Sequence, residues 1–200
     1  MKLSVVIVNW NSGSYLARLI DSLSTLSENL EEVVVVDNAS ADSSHQGLSF
    51  DSKLTVHGLE ENLGFAGAAN FGIAQARADF VLLLNPDLVV VPETVEKLYD
   101  LITRNTKAAI VCGALLDEKG QSQEAFQIRA FPTALSVISD AIFLDELTEW
   151  IGLGGARPAA GPSTTEEARS VDQPAAAFWL LRKEAWTSVG GFDEEFHPAW

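Results

Sequence analysis

The chain is 200 residues long, is 47% hydrophobic and carries a formal charge of −15. This length suits one domain with a single sizeable core. The strong negative charge repels nucleic acid and anionic headgroups at long range, which argues against DNA or RNA as a partner.

The compartment is indicated by the cysteine content and by the absence of targeting signals. The single cysteine, Cys112, excludes an internal disulfide and is predicted to be a buried residue of the apolar strand 109–115. The N-terminus reads as a strand and not as a signal peptide. No apolar run reaches the roughly 18 residues that a membrane-spanning helix requires. We therefore expect a soluble cytoplasmic protein, or at most a peripheral one at the inner face of the membrane.

Short apolar runs alternate with helical patterns through the first half of the chain. Strands are predicted at 3–8, 32–36, 54–57 and 79–84. Helices are predicted at 16–23, with Ser12 or Ser14 as the cap, at 67–78, and from Pro92 onward with a buried face of Val95, Leu98 and Ile102. This alternation predicts an α/β fold with a mostly parallel sheet flanked by helices.

The second half is less regular. Residues 117–133 are predicted to be loop with irregular strand, 135–150 a helix, and 152–170 a loop rich in small residues. An apolar run at 178–181 and a short helix at 184–189 follow.

Polar residues follow each of the four predicted strands, and they are Asn9 with Asn11, Asp37 with Asn38, Asn62 after a short loop, and Asn85 with Asp87. Each group alone is ordinary turn chemistry, because Asn and Asp are common in turns. In an open α/β sheet, however, ligands bind beyond the carboxyl ends of the strands. We therefore expect the four groups to collect at one ligand-binding edge.

Asp87 is the most informative of these residues. It either starts a turn or holds Mg²⁺ or Mn²⁺ against a diphosphate, because Mg²⁺ typically takes one or two carboxylates together with substrate phosphates. Asn85 would add a weaker amide ligand or hold Asp87 in place. The stretch 64–70 lacks the GxGxxG spacing of a dinucleotide loop, and the three histidines and Cys112 show no zinc spacing.

Four sequence blocks resemble family 2 glycosyltransferases of the GT-A fold, especially rhamnosyltransferase-like members. The blocks are SVVIVNWN at 4–11, VVVVDNASAD at 33–42, NLGFAGAAN at 62–70 and LLLNPD at 82–87. A fifth, VGGFDE at 189–194, is similar to the segment that precedes the acceptor-side acidic motif of the family. The resemblance implies one Rossmann-like GT-A domain over 1–200, with a nucleotide-binding half at about 1–115 and an incomplete acceptor-side half at about 116–200.

The same resemblance implies roles for individual residues. Asn9 and Asp37 would contact the nucleoside base, and Asn62 and Asn70 would lie in the block that lines the nucleotide pocket. Asp87 matches the last aspartate of the DxD motif, which binds Mg²⁺ or Mn²⁺ and the diphosphate.

Asn85 replaces the first aspartate of that motif, so the metal would have one fewer anionic ligand. The catalytic base is expected after Trp200. Asp193 and Glu194 are the nearest acids, and they are predicted to organise a turn.

The implied reaction transfers a sugar from a dTDP or UDP sugar, such as dTDP-rhamnose, to a saccharide or lipid-linked acceptor with inversion. Peripheral membrane association and a homodimer remain open. Two alternatives are a nucleotide-sugar-binding chain without turnover and a nucleotidyltransferase. The second is disfavoured because residues 9–13 contain no Lys or Arg.

Overall fold

The computed structural model describes residues 2–123, 127–129, 131 and 168–196. The chain forms two compact units, one of Met1–Gly113 with Ala176–Trp200 and the other of Ala114–Ala175. The segment from Ala176 onward therefore belongs with the N-terminal residues. A single domain over the whole chain stays a prediction.

Eight strands are present in the described residues: β1 Leu3–Asn9, β2 Leu30–Asp37, β3 Leu54–Gly58, β4 Phe80–Leu84, β5 Ile110–Cys112, β6 Ile128–Arg129, β7 Gln173–Pro174 and β8 Phe178–Arg182. The first unit contains a six-stranded sheet in the order β3-β2-β1-β4-β8-β5. Strands β1 to β4 pair in parallel, whereas β8 runs antiparallel to β4 and β5. The mostly parallel α/β sheet expected from the sequence is confirmed.

The described α-helices are α1 Tyr15–Ser22, α2 Gly64–Gln75, α3 Pro92–Arg104 and α4 Lys183–Val189. The buried face predicted for α3 is confirmed, because Val95, Leu98 and Ile102 are its buried residues. Ser14 occupies the N-cap position of α1 but makes no capping hydrogen bond with its side chain. The Ser12 hydroxyl donates to Asn9 instead. Ser14 is therefore the N-cap residue, one of the two predicted alternatives, although its side chain makes no capping bond.

Helix α2 packs closely on the sheet because its buried face is made of small residues. A Cβ added at Gly72 would lie 2.5 Å from Val6 Cγ1 and 2.9 Å from Val36 Cγ2. The helix begins three residues before the predicted start at Gly67 and ends at Gln75, because Ala76 turns to an extended backbone with ψ 136°. Its first turn thus lies beside the loops that follow β2 and β3.

The opposite end of α2 is anchored by a buried carboxylate. Glu32, 6% exposed, accepts hydrogen bonds from the Ser4 hydroxyl at 2.7 Å and from the Arg77 backbone N–H at 2.5 Å. The Arg77 guanidinium Nε lies 3.2 Å from its other oxygen. Burying a carboxylate is tolerated when it is paired and hydrogen-bonded, which holds here. The connection from α2 to β4 is therefore fixed to the sheet.

The second unit is described only in part. Strands β6 and β7 pair antiparallel, and Gln127 accepts a backbone hydrogen bond from Ala175 at 2.7 Å. The described portion of 117–133 is loop with short strand, as predicted, apart from Gln127, which is helical. The predicted helix at 135–150 and residues 152–167 of the predicted loop lie outside the described residues.

Two further sequence predictions concern Cys112 and the membrane. Cys112 ends β5 and is partly rather than fully buried, and this burial raises the pKa of its thiol. Within the part of the chain that the structure describes, no helix is both long and apolar enough to cross a bilayer.

Candidate functional site

The ends of β1 and β2 are joined by the side chain of Asn9. Asn9 pairs with Asp37 in the strand register and is fully buried. Its Nδ2 donates to Asp37 Oδ1 at 2.6 Å, to Ser44 Oγ at 2.9 Å and to Ser40 Oγ at 3.2 Å, while its oxygen accepts from Ser12. The amide is therefore committed to holding Asp37 and the adjoining loops. A contact between Asn9 and a nucleoside base stays a prediction.

Asp37 is the carboxylate at the centre of this network, and it is 4% exposed. Oδ1 is bound by Asn9, and His45 Nδ1 lies 3.4 Å from the same oxygen. Oδ2 accepts the Ser40 backbone N–H at 3.2 Å. A carboxylate oxygen can accept two hydrogen bonds, so Oδ2 keeps the capacity to accept one more.

The loop after β1 is held against the loop after β2 by residues to which the sequence assigned no role. Asn11, with a left-handed φ of 49°, accepts backbone hydrogen bonds from Ala41 at 2.7 Å and Asp42 at 3.2 Å. Asp42 in turn accepts the Ser44 hydroxyl at 2.5 Å and the Gly13 N–H at 2.9 Å. The Ser44 hydrogen bond is the largest cause that lowers the pKa of Asp42 below its ordinary value. Both residues lie in the sequence blocks, but their partners are visible only in the fold.

Asn38 organises the loop that leads into α2. It is 3% exposed, donates to Asn62 Oδ1 at 2.8 Å and to the Gly64 carbonyl at 3.1 Å, and accepts the Leu63 N–H at 2.9 Å. Asn62 Oδ1 also accepts the Gly64 N–H at 2.8 Å, and Asn62 itself is exposed. Asn38, which sequence reasoning placed at this edge without a role, therefore fixes the start of α2.

Asn70 lies on α2, where it contacts the C-terminal segment. Its amide is hydrogen-bonded to Trp186, Phe192 and Glu194. A role for Asn70 in lining the nucleotide pocket stays a prediction, and the contacts it makes here are with residues more than a hundred positions away.

Asn85 and Asp87 follow β4 at the same edge. Asn85 is partly buried, and its backbone N–H donates to the Ala177 carbonyl at 2.9 Å, whereas Asp87 is exposed. In the described ranges no three His, Cys, Asp or Glu side chains form a metal-binding group. One exposed carboxylate beside an amide fits Mg²⁺ or Mn²⁺ that takes its other ligands from phosphate and water. It does not fit a cage built from the protein alone.

The two acids near the end of the described chain make different contacts. Asp193 Oδ1 accepts the Glu195 backbone N–H at 2.9 Å, which is the turn role expected of it. Glu194 Oε1 accepts from Asn70 Nδ2 at 2.7 Å, 124 residues away in sequence. Glu194 is therefore tied to α2 and does not only serve its own turn.

Two surface cavities lie away from this edge. One, of about 410 Å³, lies beside α1 and the loop before β3. The other, of about 330 Å³, lies at the N-terminal ends of β1, β2 and β4. The candidate site is therefore defined by the polar groups at the strand ends.

A mostly parallel sheet with polar groups at the carboxyl ends of its strands is typical of a ligand-binding α/β domain, and comparison with known proteins identifies its kind. The family model Glycosyl transferase family 2 matches residues 4–152. The chain therefore belongs to glycosyl transferase family 2, and its solved structural neighbours have the GT-A fold.

Two similar proteins, one of them solved both alone and with a ligand, illustrate this kinship. The low-salt glycan biosynthesis hexosyltransferase Agl10 of Haloferax volcanii is 26% identical over 97% of this chain and 57% of its own length. S. aureus TarS 1-349 superposes on all of this chain and 52% of its own with a TM-score of 0.64 and 21% identity. Its complex with UDP-GlcNAc matches 67% of this chain and 38% of its own, at 27% identity and a TM-score of 0.52. The chain thus spans about half the length of the relatives it matches.

Proposed function

We propose that this chain is the donor-binding domain of an inverting glycosyltransferase. It transfers a sugar from a UDP or dTDP sugar, dTDP-rhamnose included, to a hydroxyl of a saccharide or lipid-linked acceptor. The observation that carries the proposal is the carboxylate and amide network at the ends of β1 and β2, with Asp87 after β4. The family, the hexosyltransferase relative and the UDP-GlcNAc complex of TarS support it.

Asp37 recognises the nucleoside in this proposal. Uracil and thymine both carry an N3–H donor, and Asp37 Oδ2 has room for one further donor beside the Ser40 N–H. A hydrogen bond to an ionised carboxylate is about twice as strong as a neutral one. Because Asn9 holds Oδ1 at 2.6 Å, the acceptor is already oriented before the nucleotide arrives.

Asp87 and Asn85 serve the diphosphate end of the donor. They would hold Mg²⁺ or Mn²⁺ together with the diphosphate oxygens. Such a cation would stabilise the negative charge that develops on the departing diphosphate. A cation also compensates for placing an anionic donor on a chain of formal charge −15. We place the reaction in the cytoplasm, with the inner face of the membrane included.

Transfer also requires that the acceptor hydroxyl lose its proton as its oxygen bonds to the anomeric carbon and the bond to the diphosphate breaks. A positioned base supplies a rate factor of roughly 10²–10⁴ in such steps. That base is proposed to follow Trp200. Asp193 and Glu194 would be the first acids to test if a chain of these 200 residues turns over alone.

Calorimetry with UDP and dTDP, each in Mg²⁺, in Mn²⁺ and in EDTA, tests the donor and metal roles together. The wild type is compared with Asp87→Asn and with Asp100→Asn, which makes the same charge change on the exposed face of α3. We expect either metal to tighten binding about tenfold, or by about 1.4 kcal/mol, in the wild type and in Asp100→Asn, but not in Asp87→Asn. Equal affinity with metal and with EDTA would refute the metal role, and no binding of either nucleotide would refute the function.

A further inference from the structure

The amide of Asn70 is saturated by one distant segment. Its Nδ2 donates to the Phe192 carbonyl at 2.9 Å and to Glu194 Oε1 at 2.7 Å. Its Oδ1 accepts the Phe192 N–H at 2.8 Å and the Trp186 indole N–H at 3.2 Å. An amide side chain has two donor hydrogens and two acceptor lone pairs, so every one of them is used.

The segment is shaped to fit against this amide. Gly191, with a φ of 92°, passes so close that a Cβ there would lie 2.9 Å from Asn70 Oδ1. Only glycine adopts such a backbone without strain. The centroids of the Phe192 and Trp179 rings lie 6.0 Å apart. Phe192 packs against the apolar core to which α2 contributes Ala68, Ala69 and Ile73. The hydrogen bonds to Asn70, the packing of the Phe192 ring and the close approach of Gly191 therefore fix residues 191–194 in one position.

This position brings Glu194 to the ligand-binding edge. Its carboxyl carbon and Oε2 lie 3.8 Å from the point where a Cβ on Gly67 would stand. Gly67 is three residues into α2, a rise of about 4.5 Å from Gly64. The Gly64 carbonyl is held by Asn38, next to Asp37. An exposed carboxylate from the C-terminal segment therefore lies beside the first turn of α2, the start of which is held by Asn38.

We propose that Glu194 binds a hydroxyl of a saccharide substrate and that Asn70 is the positioning residue that holds it there. The inference rests on the proposed function. Asn70 binds Oε1, and Oε2 remains to accept the hydroxyl. The same amide thus holds the turn through Phe192 and orients the carboxylate of Glu194.

Three variants separate this role from a structural one. Glu194→Gln keeps an oxygen that accepts from Asn70 but loses the carboxylate. Asn70→Asp keeps the size and the acceptor oxygen but loses the donors to the Phe192 carbonyl and to Glu194, so that two carboxylates face each other and the segment loosens. Glu195→Gln is the matched control, since it makes the same change one residue away. Hydrogen exchange of the Phe192 amide, whose N–H is bound to Asn70, reports the contact without any need for activity.

The readouts are the affinities for UDP and UDP-GlcNAc, and UDP release from UDP-GlcNAc as free N-acetylglucosamine is varied. In Glu194→Gln we expect Phe192 protection and UDP affinity as in the wild type. Either UDP-GlcNAc affinity or kcat/KM for N-acetylglucosamine should fall about tenfold, which corresponds to losing a charged hydrogen bond. A fall in the first assigns the hydroxyl to the donor sugar, and a fall in the second assigns it to the acceptor.

In Asn70→Asp we expect the same functional loss together with faster exchange at Phe192. If Glu194→Gln matches Glu195→Gln in every functional readout that the wild type supports, including UDP-GlcNAc affinity in the absence of turnover, this inference alone is overturned. If Asn70→Asp weakens UDP and UDP-GlcNAc binding by the same factor, Asn70 is merely structural and the positioning role is overturned. A wild type that binds neither nucleotide overturns the proposed function as well, and the exchange data still report the Asn70 contact.

Discussion

The substitution Asp37→Asn tests the nucleoside contact with the least change in shape. It removes the negative charge but keeps an oxygen that can still accept from Asn9, 2.6 Å away in the wild type. At the other oxygen, the Ser40 N–H lies at 3.2 Å. Because this side chain is 4% exposed, the amide has little freedom to reorient. The substitution therefore weakens mainly the hydrogen bonds at Oδ2, where the Ser40 N–H and the proposed nucleoside N–H both need an acceptor.

The expected magnitude follows from the hydrogen bonds involved. A hydrogen bond to a charged group contributes about 1.5–3 kcal/mol, which corresponds to a weakening of the dissociation constant by roughly 10- to 150-fold. The substitution will also lower the free energy of unfolding, because the hydrogen bond between Asn9 and Asp37 is charge-assisted as well. Uridine lacks the diphosphate that Asp87 is proposed to serve. Its affinity should therefore depend on the nucleoside contact and show the full loss.

The assay is calorimetric titration of uridine and UDP into the wild type, Asp37→Asn and Asp100→Asn. The urea midpoint of each variant confirms that the protein titrated is folded. Asp100→Asn carries the same charge change at an exposed site on α3 and should bind like the wild type. If folded Asp37→Asn binds uridine as tightly as the wild type does, then Asp37 only organises the loop after β2, and the reasoning is refuted.

Two further predictions concern packing and pH. Gly72→Ala should destabilise the chain by about 1–3 kcal/mol, because its Cβ would stand 2.5 Å from Val6 Cγ1. Urea unfolding beside Gly58→Ala, where nothing lies within 4 Å of the added Cβ, measures this, and equal midpoints would contradict the close packing. Since the hydrogen bond from Ser44 lowers the pKa of Asp42, that carboxylate stabilises the folded loop above its ordinary pKa of about 3.9 and loses this effect as pH falls through its lowered value. The Ser44 amide should therefore exchange faster, after correction for intrinsic rates, below about pH 4, and a pH-independent protection would contradict it.

The sequence by itself determined the α/β class of this protein, the buried faces of its main elements and the sheet edge at which the candidate residues lie. Apolar runs such as 33–36 are long enough for one buried strand each, and in the structure β1 and β2 are almost wholly buried. The 3.6-residue spacing of Val95, Leu98 and Ile102 was sufficient to place the inner face of α3. Since parallel strands all end at one edge, Asp37 and Asn85 could be assigned to that edge from local pattern alone.

Only the tertiary structure decided what each polar residue contacts. Asn9 and Asn70 look alike in sequence, yet one holds Asp37 and the other holds a segment 124 residues away. The run at 178–181 is apolar in the sequence, but nothing local showed that β8 would insert antiparallel between β4 and β5. Periodicity reports which face of an element is buried. A hydrogen-bond partner is set instead by where distant segments meet, and that depends on the packing of the whole sheet.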